Sequence, residues 1–69
     1  MDVRRKLGAR VQRLRQAQGL SQEELADRAD LHRTYVSGVE RGVRNPTVTV
    51  LEKLAQGLKT SLPDLVSFE

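Results

Sequence analysis

Only Asp30 and Leu31 separate one helix-period segment from the next in the middle of this chain, and nothing else in the sequence restricts the fold as much. The first segment opens at Ser21-Gln22-Glu23-Glu24. There the serine hydroxyl can take an orphan amide while Glu24 reaches back, with acidic charge at the positive helix end. It runs to about Ala29 and would bury Leu25, Ala26 and Ala29. The second spans roughly His32 to Arg41 and stops at Gly42. So short a turn forces the two helices into contact, and Ala26 and Ala29 are small enough to let them cross steeply.

The flanking sequence is helical too. Val3 to Gln18 places Leu7, Val11 and Leu14 on one stripe, with Arg4, Arg5, Arg10 and Arg13 mostly on other faces, and Gly19 ends it. After Asn45-Pro46, Thr47 caps a fourth helix that would bury Val48, Leu51, Leu54, Ala55 and Leu58. The β-branched alternation at Val48 to Val50 is read as helix, because Leu51, Leu54 and Leu58 continue the helical period. A last short helix runs from Leu62 to about Val66, with Ser61 as cap and Pro63 in its first turn. No strand signal is present. The expectation is an all-α, compact five-helix bundle forming a single domain over residues 1–69.

With 69 residues the chain buries a small fraction of its surface, so its stability margin is thin. It has no Cys and a single His, which leaves no disulfide, no thiolate ligand and too few ligands for zinc; no cofactor is expected. Met1 to Leu7 carries basic residues with no apolar run behind them, so neither a signal peptide nor a membrane span is expected and the cytoplasm is the expected location. No serine has a recognisable base partner and there is no glycine-rich phosphate loop, so catalysis is not expected. Twelve Lys and Arg against nine Asp and Glu give a net charge of +3 and a pI near 10.0, which suits an anionic partner. Arginine supplies most of the cations, and its planar fork matches phosphate oxygens and guanine edges.

Projected at about 100° per residue, the segment from His32 to Arg41 turns Arg33, Thr34, Ser37, Gly38 and Arg41 to one side, and Tyr35, Val36 and Val39 to the other. Donors on one face and hydrocarbon on the opposite one are what a helix inserted in the DNA major groove requires; an ordinary solvated helix has the same pattern. Arg33 is the candidate for base readout, through a bidentate pair with guanine O6 and N7, or else for a phosphate contact. Thr34 and Ser37 would tune that readout through a thymine methyl or a hydroxyl bond, or merely cap and solvate. Gly38 costs about 1 kcal/mol relative to alanine inside a helix, which either close approach to DNA or drift would explain. His32 is a cap or a phosphate neighbour, and Arg41 faces either phosphate or solvent.

A wider pattern joins these segments. Leu14-Arg15, then Gly19-Leu20-Ser21-Gln22-Glu23-Glu24-Leu25-Ala26, then Arg33-Thr34-Tyr35-Val36-Ser37-Gly38-Val39-Glu40-Arg41-Gly42, then Arg44-Asn45-Pro46-Thr47 resembles the Cro/C1 (Xre-type) helix-turn-helix family, which has a lambda-repressor-like DNA-binding fold. Within it, the string from Arg33 through Arg44-Asn45 is similar to the controller proteins of restriction–modification systems, short all-helical homodimers.

The resemblance implies that Gln22 bonds a DNA phosphate, together with its own amide at the start of the second helix. It implies backbone contacts from Arg44 and Asn45, though Asn45 before Pro46 could equally be a turn former. It also implies a partly buried ion pair between Arg15 and Glu40 that orients the first helix against the recognition helix. Tyr35 is read mainly as packing, with its hydroxyl within reach of a phosphate. The apolar tail, Leu62, Leu65, Val66 and Phe68, closes the monomer core in part, and Val66 and Phe68 are assigned to a two-fold interface. The expected function is a homodimeric, sequence-specific regulator or repressor on a pseudo-palindromic operator in double-stranded DNA. An activator would also touch RNA polymerase. The alternative is an antitoxin-type or other protein-interaction module with secondary DNA binding.

Overall fold

A computed structural model describes residues 2–68, all of whose regular structure is helical. Helix α1 is Val3–Ala17, α2 Gln22–Ala29, α3 Arg33–Glu40, α4 Val48–Gly57 and α5 Leu62–Leu65. The order and number of helices are those read from periodicity. Four ends retreat by a residue: Gln18 and Val66 terminate α1 and α5, and α3 is shorter at both ends because His32 and Arg41 are its caps.

Each helix begins at a side chain that accepts an amide. Asp2, Ser21, His32, Thr47 and Ser61 cap α1 to α5 in turn. At α2 the capping box is complete: the Glu24 amide donates to Ser21 Oγ at 3.0 Å and the Ser21 amide to Glu24 Oε1 at 2.9 Å. Those bonds hold the Glu24 carboxyl below its ordinary range.

The first four helices end alike. A residue with positive φ (Gly19, Asp30, Gly42 and Lys59) reverses the chain, and the next amide returns to a carbonyl of the last turn. Asp30 tolerates this conformation through its short polar side chain, and at that point the chain turns from α2 into α3. Lys59 has no such compensation. Replacing Lys59 with glycine should stabilise the fold by about 1 kcal/mol, a rise in melting temperature of roughly 4–8 °C in a calorimetric scan; an unchanged or lower midpoint would show that the left-handed turn costs lysine nothing.

The core lies between α2 and the helices around it. Leu25, Leu54, Leu58, Leu65, Val11, Val36 and Val39 are fully buried, each leucine contributing about 1.5–3 kcal/mol by leaving water. Helix α2 packs on α3 and α4, while α1 spans α3 and α5. Ala26 and Ala29 are both buried where α2 meets its neighbours, which permits the close crossing. Val48 departs from expectation: it is 68% exposed, because the first residue of α4 projects beyond the packed turns that bury Leu54, Ala55 and Leu58. Among the described residues no helix is long and apolar enough to cross a membrane.

Candidate nucleic-acid interface

Helix α3 is anchored by Val36 and Val39 on its inner side and presents Arg33 and Thr34 to solvent at its start, with Ser37 half-buried one turn later. His32 Nδ1 accepts the Thr34 amide at 3.2 Å and lies 2.8 Å from Thr34 Oγ1. An accepting Nδ1 puts the proton of the neutral ring on Nε2, so the cap leaves one outward donor at the mouth of the helix. Arg33, Arg41 and Arg44 form no ion pair among the described residues. Their charge is uncompensated on the side of the molecule that carries α3.

A polar network fixes the attitude of α3. Arg15 Nε lies 2.6 Å from Glu40 Oε2 and a second guanidinium nitrogen donates to Glu40 Oε1 at 3.0 Å. The third guanidinium nitrogen donates to the Leu20 carbonyl at 2.7 Å, so all three nitrogens are used. The side chains of this pair are only 11% and 3% exposed, and the hydrogen bond to Glu40 raises the pKa of Arg15, keeping it charged. Gln22 joins them, its Nε2 donating to Glu40 Oε1 at 3.0 Å. One bidentate pair thereby ties the end of α1, the approach to α2 and the end of α3. A carboxamide nitrogen has two N–H groups, so Gln22 keeps one to offer at the start of α2.

Behind α3 the decisive residue is Gly8, which the sequence pattern did not single out. A Cβ there would overlap the Val39 carbonyl oxygen and stand 2.6 Å from that of Glu40, so α1 touches the last turn of α3 backbone to backbone. A glycine in mid-helix was the available signal. Arg5 was also missed: its Cγ and backbone press on Gly42, whose positive φ ends α3.

Past that turn, Arg44 is exposed but not extended. Its guanidinium carbon lies 5.2 Å from the centre of the Tyr35 ring, and its aliphatic carbons cover Gly38. Gly38 is buried by Arg44 rather than open on the polar face where projection puts it. Tyr35 is half-buried with its ring against the core, and Arg41 and Asn45 are exposed.

Val66 and Phe68 sit on another face. With Val3, Leu7, Asn45, Pro46 and Leu51 they line an apolar groove of about 220 Å³. Phe68 packs partly on the monomer core, whereas Val66 is 39% exposed. Asn45 thus belongs to the rim of this groove as well as to the loop after α3.

The model of the helix-turn-helix family matches residues 11–65. The control protein C.SmaI of Serratia marcescens is 45% identical over 67 residues, spanning 97% of this chain and 80% of that protein. An HTH-type transcriptional regulator of Sinorhizobium fredii, y4dJ, is 46% identical over 67 residues, covering 97% of this chain and 87% of the relative. Among solved structures, the restriction-modification controller protein C.AhdI of Aeromonas hydrophila superposes with a TM-score of 0.88 at 47% identity, over 90% of this chain and 94% of that one. A family match across both helices of the turn, and relatives aligned over nearly the whole length, agree with the geometry of α2 and α3: the chain belongs to the Cro/C1-type helix-turn-helix family.

Proposed function

We propose that this protein is a transcriptional regulator that binds an operator in double-stranded DNA as a homodimer, each subunit laying α3 in the major groove. The observation that carries the reading is the outward face of α3, where Arg33 and Thr34 stand exposed at the helix start and three arginines lack a carboxylate partner among the described residues. Arg33, Thr34 and Ser37 face base edges, and Gln22, His32, Tyr35, Arg41, Arg44 and Asn45 hold the phosphates on either side. Self-association runs through Val66 and Phe68, whose groove places apolar surface away from α3. The protein works in the cytoplasm as a single DNA-binding unit without catalysis. Likeness to proteins named for control of restriction–modification systems supports such a system as its target.

Selection of duplexes from a randomised pool by the purified protein tests this. The expected product is a pseudo-palindrome with half-sites about one helical turn apart. Failure to enrich any sequence would overturn the reading; an asymmetric, single half-site would retain the DNA contact and remove the dimer.

A further inference from the structure

We infer that Gly38 is a positioning residue for DNA recognition: lacking a side chain, it lets Arg44 lie across α3 against Tyr35, so that the loop cation reaches DNA already placed. The inference rests on α3 being the DNA-contacting helix.

The path begins at Gly42, whose φ of 78° reverses the chain. The Val43 amide then donates to the Gly38 carbonyl at 3.0 Å, which folds the loop back along the helix it has just left. Arg44, the next residue, falls over Gly38. A Cβ at that position would stand 2.7 Å from Arg44 Cγ, 3.1 Å from its Nε and 3.4 Å from its Cδ, and these are the three nearest atoms. Nothing of the backbone framework is so close, in contrast to Gly8, where the obstacles are carbonyl groups. Gly38 therefore disfavours its own helix without serving the packing between helices; what occupies the space is one flexible cation.

That cation ends on Tyr35, with its guanidinium carbon 5.2 Å from the ring centre. The Arg44 guanidinium donates no hydrogen bond among the described residues, so while the ring holds it its N–H groups remain free for phosphate or a base edge. An arginine waving in solvent would lose rotamer freedom when it bound; one laid in a groove and held by a ring has lost much of it beforehand.

Gly38→Ala separates this role from a structural one. The chain has one tyrosine and no tryptophan, so ultraviolet-excited emission reports on Tyr35 without DNA. Arg44→Ala is expected to change that emission, and Gly38→Ala to change it in the same direction, while the Arg44 Nε–Hε NMR resonance loses its ring-current shift. Thermal unfolding of Gly38→Ala should come at or above the wild-type temperature. On the selected operator, its Kd should rise about two- to fivefold per subunit, the size of an exposed cation–π contact. Combined with Arg44→Ala, it should add nothing further. A tyrosine signal unmoved by Gly38→Ala, or a loss of affinity that adds in full to that of Arg44→Ala, would overturn the inference. If Arg44→Ala leaves operator binding intact while Arg33→Ala damages it, the inference falls and the proposed function stands. If no operator is selected, the proposed function falls, and with it the DNA role of Gly38.

Discussion

Glu40→Ala is expected to lower the folding free energy by about 3–5 kcal/mol, read as a shift of the urea midpoint at unchanged m-value. The carboxylate is 3% exposed and accepts from Arg15 and Gln22, so its removal leaves a guanidinium with only the Leu20 carbonyl as acceptor and little access to water. Because the hydrogen bond to Glu40 raises the pKa of Arg15, its contribution is fully present below the ordinary arginine value and is lost only on titration above it, beyond the working range. Mutation is the usable probe. A small domain stands near the low end of the usual stability of about 5–15 kcal/mol, so the variant should be partly unfolded at 25 °C. Exchanging both members, Arg15→Met with Glu40→Leu, should restore most of the loss because no charge remains buried. A loss below about 1 kcal/mol for Glu40→Ala would mean that the pair behaves as a screened surface pair.

Arg33→Ala should act on DNA and leave the fold alone. The side chain is exposed at the first position of α3 and has no partner to lose among the described residues. If it reads a guanine, binding to the best operator weakens by about 1–3 kcal/mol, and preference at one base pair in each half-site flattens. Gln22→Ala should instead weaken all sequences alike, since the carboxamide addresses phosphate. The two variants, measured on a panel of single-base operator changes, separate base readout from backbone contact. An Arg33→Ala protein that selects the wild-type consensus would remove Arg33 from the reading set and move the specificity to Thr34, Ser37 or Arg44.

How much of this was legible beforehand depended on distance along the chain. The capping box of Ser21 and Glu24, the terminators Gly19 and Gly42, and the buried stripes of Leu25, Leu54 and Leu58 were read correctly, because each is a relation among residues within a turn or two. Val48 was misplaced because the helical period says which face a residue occupies, not whether a neighbouring helix extends far enough to cover it. Asp30 and Lys59 in left-handed turns went unnoticed for a related reason: the sequence cue for such a turn is glycine, and the backbone adopts the conformation there with other residues.

The site divides in the same way. Periodicity alone put Arg33 and Thr34 on one face of a helix backed by Val36 and Val39, since side-chain direction along a helix follows from its pitch. Only the assembled tertiary structure brought Gln22 to Glu40 across 18 residues, pressed Gly8 onto the carbonyls ending α3, and laid Arg44 over Gly38 and Tyr35, whereas the pair of Arg15 and Glu40, 25 residues apart, was expected from the family resemblance and not from periodicity. Those contacts arise from the angles at which helices cross and from the course of a loop after its turn, and both are set by how all the buried side chains fit together.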